Sequence, residues 1–196
     1  MRRGALGVHV PAFSIRWYPE GASCLDPKDG DIVLVDHGTF FDRLISWGEA
    51  VMALSQRELR PYRWCAHTAL IRKGPDGTLS EMGPRGHERR DLSHYAHRLY
   101  AVVSIEMSDE ARAEIAEADF LCADAAYGWL QYLPLAINAL SGCRFYAGWG
   151  DAIICSTHVS MCSRPSGFFP GRQDAAMAPI HLAALFMADP QAARIR

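Results

Sequence analysis

The 196-residue chain has no apolar stretch long enough to cross a bilayer. The longest, Trp129 to Leu140, is broken by Gln131, Pro134 and Asn138 and falls short of the roughly 20 apolar residues a spanning helix needs. The uninterrupted apolar core of a signal peptide is also missing after Arg2 and Arg3. That disfavours export by a standard signal and leaves the cytoplasm, or carriage in an assembly such as a virion, as the expected locations. Neither sign of charge is in excess. Twenty basic and 22 acidic residues give a formal charge of −2, so no global field directs the chain to nucleic acid or to an anionic surface. Internal repeats, low-complexity linkers and a regular cysteine framework are lacking as well. Cys24, Cys65, Cys122, Cys143, Cys155 and Cys162 sit mostly among apolar residues without periodic spacing, which reads as reduced thiols used as small apolar side chains.

What is present describes a folded chain. Hydrophobic residues make up 49%, charged residues 21%, and mean hydropathy is −0.06. The length fits one domain of ordinary size. The pattern divides into an irregular lead-in over 1–26, a single domain over 27–190 and a short tail over 191–196. The Pro27-Lys28-Asp29-Gly30-Asp31 turn feeds Ile32-Val33-Leu34-Val35, a buried strand. Mainly helical spacing follows over 38–56. Strands are expected at Trp64–Ile71 and Thr78–Met82, joined as a hairpin through Pro75-Asp76-Gly77, where Pro presets φ and Gly supplies a positive one. Residues 83–98, rich in Arg and His, read as a polar loop, and Leu99–Met107 as a further strand. Ser108-Asp109-Glu110 is a helix start, opening Ala111–Ala126. More helices are expected over 129–141, 152–162 and 174–187. Strands mostly precede helices, which predicts an α+β fold with helices packed against an antiparallel sheet.

The chemistry concentrates at Asp151-Ala152-Ile153-Ile154-Cys155-Ser156. Cys155 stands at the start of an expected helix, where the dipole and free backbone N–H groups favour a thiolate and can hold an oxyanion. A nucleophilic cysteine needs a base and a group that fixes the base's tautomer. His67, in the middle of an apolar strand, fits the base. Glu81 fits the third role, because pairing around a turn near Pro75-Asp76 makes it a direct or near neighbour of His67 across the hairpin. Taken singly, each has an ordinary packing explanation: a core thiol, a satisfied core histidine, a solvated glutamate.

Gly30-Asp31-Ile32-Val33-Leu34, then His67 in one strand, Glu81 in the next and Ile154-Cys155-Ser156 opening a late helix resemble the circularly permuted NlpC/P60 papain-like proteins. The likeness is to the YiiX/YaeF-type branch, related to the lecithin retinol acyltransferase-like group, and spans about residues 27–165. It implies a permuted papain-like domain and a thiol amidohydrolase or acyltransferase. Cys155 would be the nucleophile, His67 the general base and acid, and Glu81 the third polar residue. Tyr127 resembles the Tyr of a family G-x-x-Y-D region, with Gly128 in place of the Asp, and Thr157 stands where many relatives carry an acid. Tyr127, Ser156 and Trp47 are the substrate-wall candidates. No metal or organic cofactor is expected. The expected partner is a peptide or acyl-amide substrate, with a cell-wall peptide amide first and a lipid amide or ester second. A homo-oligomer or larger assembly remains open.

Two rivals stand beside this reading. Cys65, His67, Cys155, His158 and Cys162 supply five potential ligands, although not at zinc-ribbon or finger spacing. The papain-like fold can also serve assembly, for example in a bacteriophage tail tip or virion, with secondary or no catalysis. The basic segment 83–98 reads equally as an anion-facing loop or a solvated one, and residues 127–135 as an apolar groove or core.

Overall fold

The computed structural model describes residues 2–3, 9–36, 38, 40–74, 78–128, 137, 152–168 and 177–193. The expected helix over 129–141, most of the 127–135 groove, and Cys143 lie outside the described residues, apart from Tyr127, Gly128 and Ile137.

The fold is α+β. Two short strands, β1 (Arg2–Arg3) and β2 (His9–Val10), pair with each other. The main sheet is antiparallel throughout and has six strands in the order β3-β8-β4-β5-β6-β7. These are β3 (Phe13–Tyr18), β4 (Ile32–Asp36), β5 (Cys65–Ile71), β6 (Leu79–Gly83), β7 (Gly86–Arg90) and β8 (Tyr100–Ile105). Helix α1 (Phe40–Ser55) follows β4, and α2 (Asp109–Leu121), α3 (Cys155–Cys162), α4 (Pro179–Leu185) and the single turn α5 (Pro190–Ala193) follow the strands.

The central strands are apolar without alternation because both sheet faces are covered. Ile32, Leu34, Ala101 and Val103 pack with Ile115 of α2, Val159 of α3 and Leu182 of α4. Val33, Val35, Ala69, Ile71 and Val102 pack on the other face with Leu92 and Tyr95, from a 3-10 turn over Leu92–Tyr95. The turn into β4 depends on Gly30, whose φ of +81 suits glycine, and on fully buried Asp31. Asp31 accepts from Ser104 Oγ at 2.8 Å and from the Lys28 N–H at 3.2 Å, so one carboxylate locks the turn to β8. Helix α2 starts as the sequence predicts, with the Ser108 hydroxyl accepting from the Ala111 N–H at 3.2 Å.

Three expectations are corrected. Residues 13–18, placed in an irregular lead-in, form an edge strand paired to β8 from Phe13↔Ile105 to Tyr18↔Tyr100. Its connection is held by Trp17 against Trp64, with ring centroids 5.0 Å apart. Residues 86–90, placed in a polar loop, are β7, because their charged side chains find buried partners described below. Of the tail over 191–196, residues 191–193 belong to α5, which opens at Pro190.

Candidate active site

Helix α3 begins at Cys155 itself. Ile154 precedes it in extended conformation, and no side chain caps the helix, so the first-turn N–H groups meet no side-chain acceptor of the cap residue. The thiol is fully buried. His67 lies on β5 where the pairing with β4 slips: Val35 faces His67 and Asp36 faces Cys65, so Ala66 is the extra residue of a bulge. Bulges re-aim side chains at sheet sites. Here the slip falls one residue before the histidine.

His67 Nε2 and Glu81 Oε2 are 2.9 Å apart. The Tyr95 hydroxyl donates to the same oxygen, and Arg90 Nε reaches Oε1 at 3.0 Å. With Nε2 on the carboxylate, Nδ1 is the nitrogen left for the Cys155 sulfur, and each group opposes the effect of burial on the other. Burial alone would push His67 toward its neutral form. The Cys155 sulfur and the Glu81 carboxylate outweigh it and hold the imidazole pKa well above its usual value. Burial likewise raises Cys155, but His67 and the Thr68 N–H and hydroxyl bring its pKa below the ordinary thiol value. Glu81 is pulled against burial by His67, Tyr95 and Arg90 to about 2. The three groups therefore favour a thiolate–imidazolium pair on a charged glutamate.

The other sequence candidates fall in different places. Tyr127 bridges to Ile153, just before Cys155, and packs with Met52, Leu59 and Ile154. The Ser156 hydroxyl is fully buried and donates to the Met177 carbonyl at 2.7 Å, so it holds α3 to the chain before α4. Trp47 is 72% exposed on α1. Sequence reading missed Tyr95 and left Arg90 in an undifferentiated basic segment; their signal was a strand followed by one short turn, hidden by the charge of 86–90.

The five-ligand metal grouping does not assemble. Cys155 and Cys162 share a helix face but stand seven residues apart, an axial rise of about 10 Å, too far for one ion. Cys155 turns to His67, while His158 belongs to another cluster. That cluster centres on Asp119 of α2, which is 4% exposed. Its carboxylate meets His158 Nε2 at 3.0 Å, His87 Nε2 at 3.4 Å, and Arg72 and Arg89 at 3.4 Å, and accepts from Ser80. The charges of β7 are thus spent inside the fold: Arg89 and His87 on Asp119, and Arg90 on Glu81 and Glu88. Among the described residues no helix is long and apolar enough to cross a membrane. Compared with protein-family models and with curated proteins, the chain has no match in either.

Proposed function

We propose that the protein is a cysteine amidohydrolase of the permuted papain-like type, acting through an acyl-enzyme on Cys155. The observation that carries this reading is the convergence of a helix-opening cysteine, a strand histidine and a carboxylate 2.9 Å from that histidine. The chain order of histidine, acid and cysteine matches the permuted NlpC/P60 arrangement that the sequence resembles.

In this mechanism the Cys155 thiolate attacks an amide carbonyl carbon while the first-turn N–H groups of α3 stabilise the oxyanion. The C–N bond breaks, and His67 gives its proton to the departing amine, leaving a thioester. Water then attacks the thioester with His67 taking its proton. The carboxylic acid leaves, and the thiolate–imidazolium pair is restored. Glu81 holds the ring orientation throughout and stabilises its charge, while Tyr95 and Arg90 hold Glu81. Because the sulfur is fully buried in the state described, substrate reaches it after a local opening.

The amide of a cell-wall peptide is the first substrate class, and a lipid-linked amide or ester the second. The test is incubation with peptidoglycan stem and cross-bridge peptides and with acyl amides, followed by intact-mass measurement. A mass increase equal to the acyl group on wild type, absent from Cys155→Ala, supports the reading. Equal product formation by both proteins overturns the nucleophile assignment. Absence of both adduct and product across the two substrate classes favours an assembly role.

A further inference from the structure

We propose that Cys122, His158 and Cys162 form a binding site for a divalent metal ion of the zinc class, joining the end of α2 to α3. The site is separate from Cys155, His67 and Glu81, and the proposal does not rest on the hydrolase reading.

The ligand atoms of the three residues lie within 4.8 Å of one another. Cys122 directly follows α2, and His158 and Cys162 are four residues apart on α3, so they occupy neighbouring turns of one helix face. Neither cysteine is in a disulfide. His158 supplies the second observation. Its Nε2 is held by Asp119 at 3.0 Å, whereas its Nδ1 is fully buried with no hydrogen-bond partner among the described residues. A buried imidazole nitrogen without a partner is rare in a folded protein. A histidine whose other nitrogen is on a carboxylate is the usual way a metal ligand is oriented, because the carboxylate fixes the tautomer that leaves a lone pair for the ion. Asp119 is itself held by Ser80, Arg72 and Arg89, so the orienting group is fixed from three sides.

The donor set selects the ion. Two sulfurs and one imidazole suit zinc and related borderline-soft ions rather than magnesium or calcium, which take oxygen. Binding a hydrated Zn2+ releases the two thiol protons to solvent, and the two thiolates cancel the ion's charge, so a neutral centre replaces two buried thiols. A fourth tetrahedral position goes to water. Cys122, at 9% exposure, is the least buried of the three ligands and marks the side of entry. His87, Asp119 and His158 also approach within 4.8 Å, but those atoms are already bonded to one another and to Ser80, whereas the Cys122 and Cys162 thiols face each other and lose only that contact when both ligate.

The test uses the full chain, stripped with chelator and titrated with Co2+ under reducing conditions, alongside metal analysis of protein purified without chelator. Stoichiometric uptake with a thiolate-to-cobalt charge-transfer band and intense tetrahedral ligand-field bands is expected. Cys155→Ala should retain both signals in full. Cys122→Ser/Cys162→Ser should lose the charge-transfer band, and His158→Gln should bind at least tenfold more weakly. If the double variant fails to fold, Cys122→Ser alone carries the test and should halve the band. A folded, reduced wild type that shows no charge-transfer band overturns the proposal. So does an unchanged band in the folded cysteine variants, or an equal loss in Cys155→Ala.

Discussion

His67 and Glu81 meet diagonally, not face to face. The β5–β6 register pairs Leu70 with Ser80 and Ile71 with Leu79. Carried along the strands, it sets Gly83 opposite His67 and leaves Glu81 two residues away on the same face, a neighbour that long side chains reach. His67 Nε2 and Glu81 Oε2 meet at 2.9 Å across that diagonal, beyond the last paired residues of the two strands.

The charge state of the cysteine should depend on that histidine. Thiolate absorbance, taken as wild type minus Cys155→Ala, should titrate below the ordinary midpoint of 9.0. In His67→Ala burial acts with less opposition, so the midpoint moves up. Hydrolysis should fall by about 10²–10⁴-fold with loss of the general base. An identical thiolate midpoint in both proteins would separate the two residues.

Replacing Glu81 by Gln should shift the pH–rate profile. The carboxylate helps hold His67 protonated, so its loss lowers the imidazole pKa and moves the basic limb to lower pH. A residue that only packs would lower activity without displacing the limb.

Acid stability should carry the same signature. Glu81 has a folded pKa of about 2 against an ordinary 4.5. Its contribution is therefore present above about 4.5 and lost as pH falls toward 2, on the order of 3 kcal/mol in full. His67, raised when folded, works in the opposite sense: its contribution is present below 6.5 and is lost as pH rises through the folded value. Urea midpoints for wild type and Glu81→Gln should converge as pH falls from about 4.5 to about 2, and parallel curves would contradict the assignment.

Tyr95→Phe keeps the ring in the Leu92–Tyr95 turn and deletes one donor to Glu81. A hydrogen bond to a charged acceptor is worth about 1.5–3 kcal/mol, so stability should drop by about that amount. The effect on kcat should exceed that on KM, because Tyr95 acts through Glu81. Equal stability of the two proteins would remove Tyr95 from the network.

Trp17→Ala tests the edge strand. The ring packs on Trp64, whose Nε1 donates to the Ala188 carbonyl at 2.6 Å, so the pair links β3 to the chain after α4. Partial burial places the loss at about 2 kcal/mol, below that of a full core aromatic. A change within error in the urea midpoint would argue that β3 adds little to the sheet.

What could be read from the sequence was local. Ile32–Val35 announced itself as a buried strand, and the turn expected at Pro75-Asp76-Gly77, which lies outside the described residues, was enough to set Glu81 near His67. Ser108 set the start of α2. Residues 13–18 were illegible because FSIRWY lies between Pro11 and Pro19, and its strand state is imposed by β8, far along the chain. Residues 86–90 looked like solvated charge because Asp119, which takes up His87 and Arg89, arrives from a helix the motif does not contain. Cys122 and Cys162 were invisible as a pair for the same reason: no turn joins them, and only the packing of α2 on α3 brings them together.

Complete burial of Cys155 separates reactivity from vulnerability. Thiolate is the form that peroxide converts to sulfenic and higher acids, so a cysteine with a lowered pKa usually carries an oxidative liability. A sulfur with 0% exposure meets oxidant only when the structure around it opens. Inactivation by peroxide should therefore scale with the population of the open state as well as with the thiolate fraction, giving the closed protein a resting state that endures oxidising surroundings.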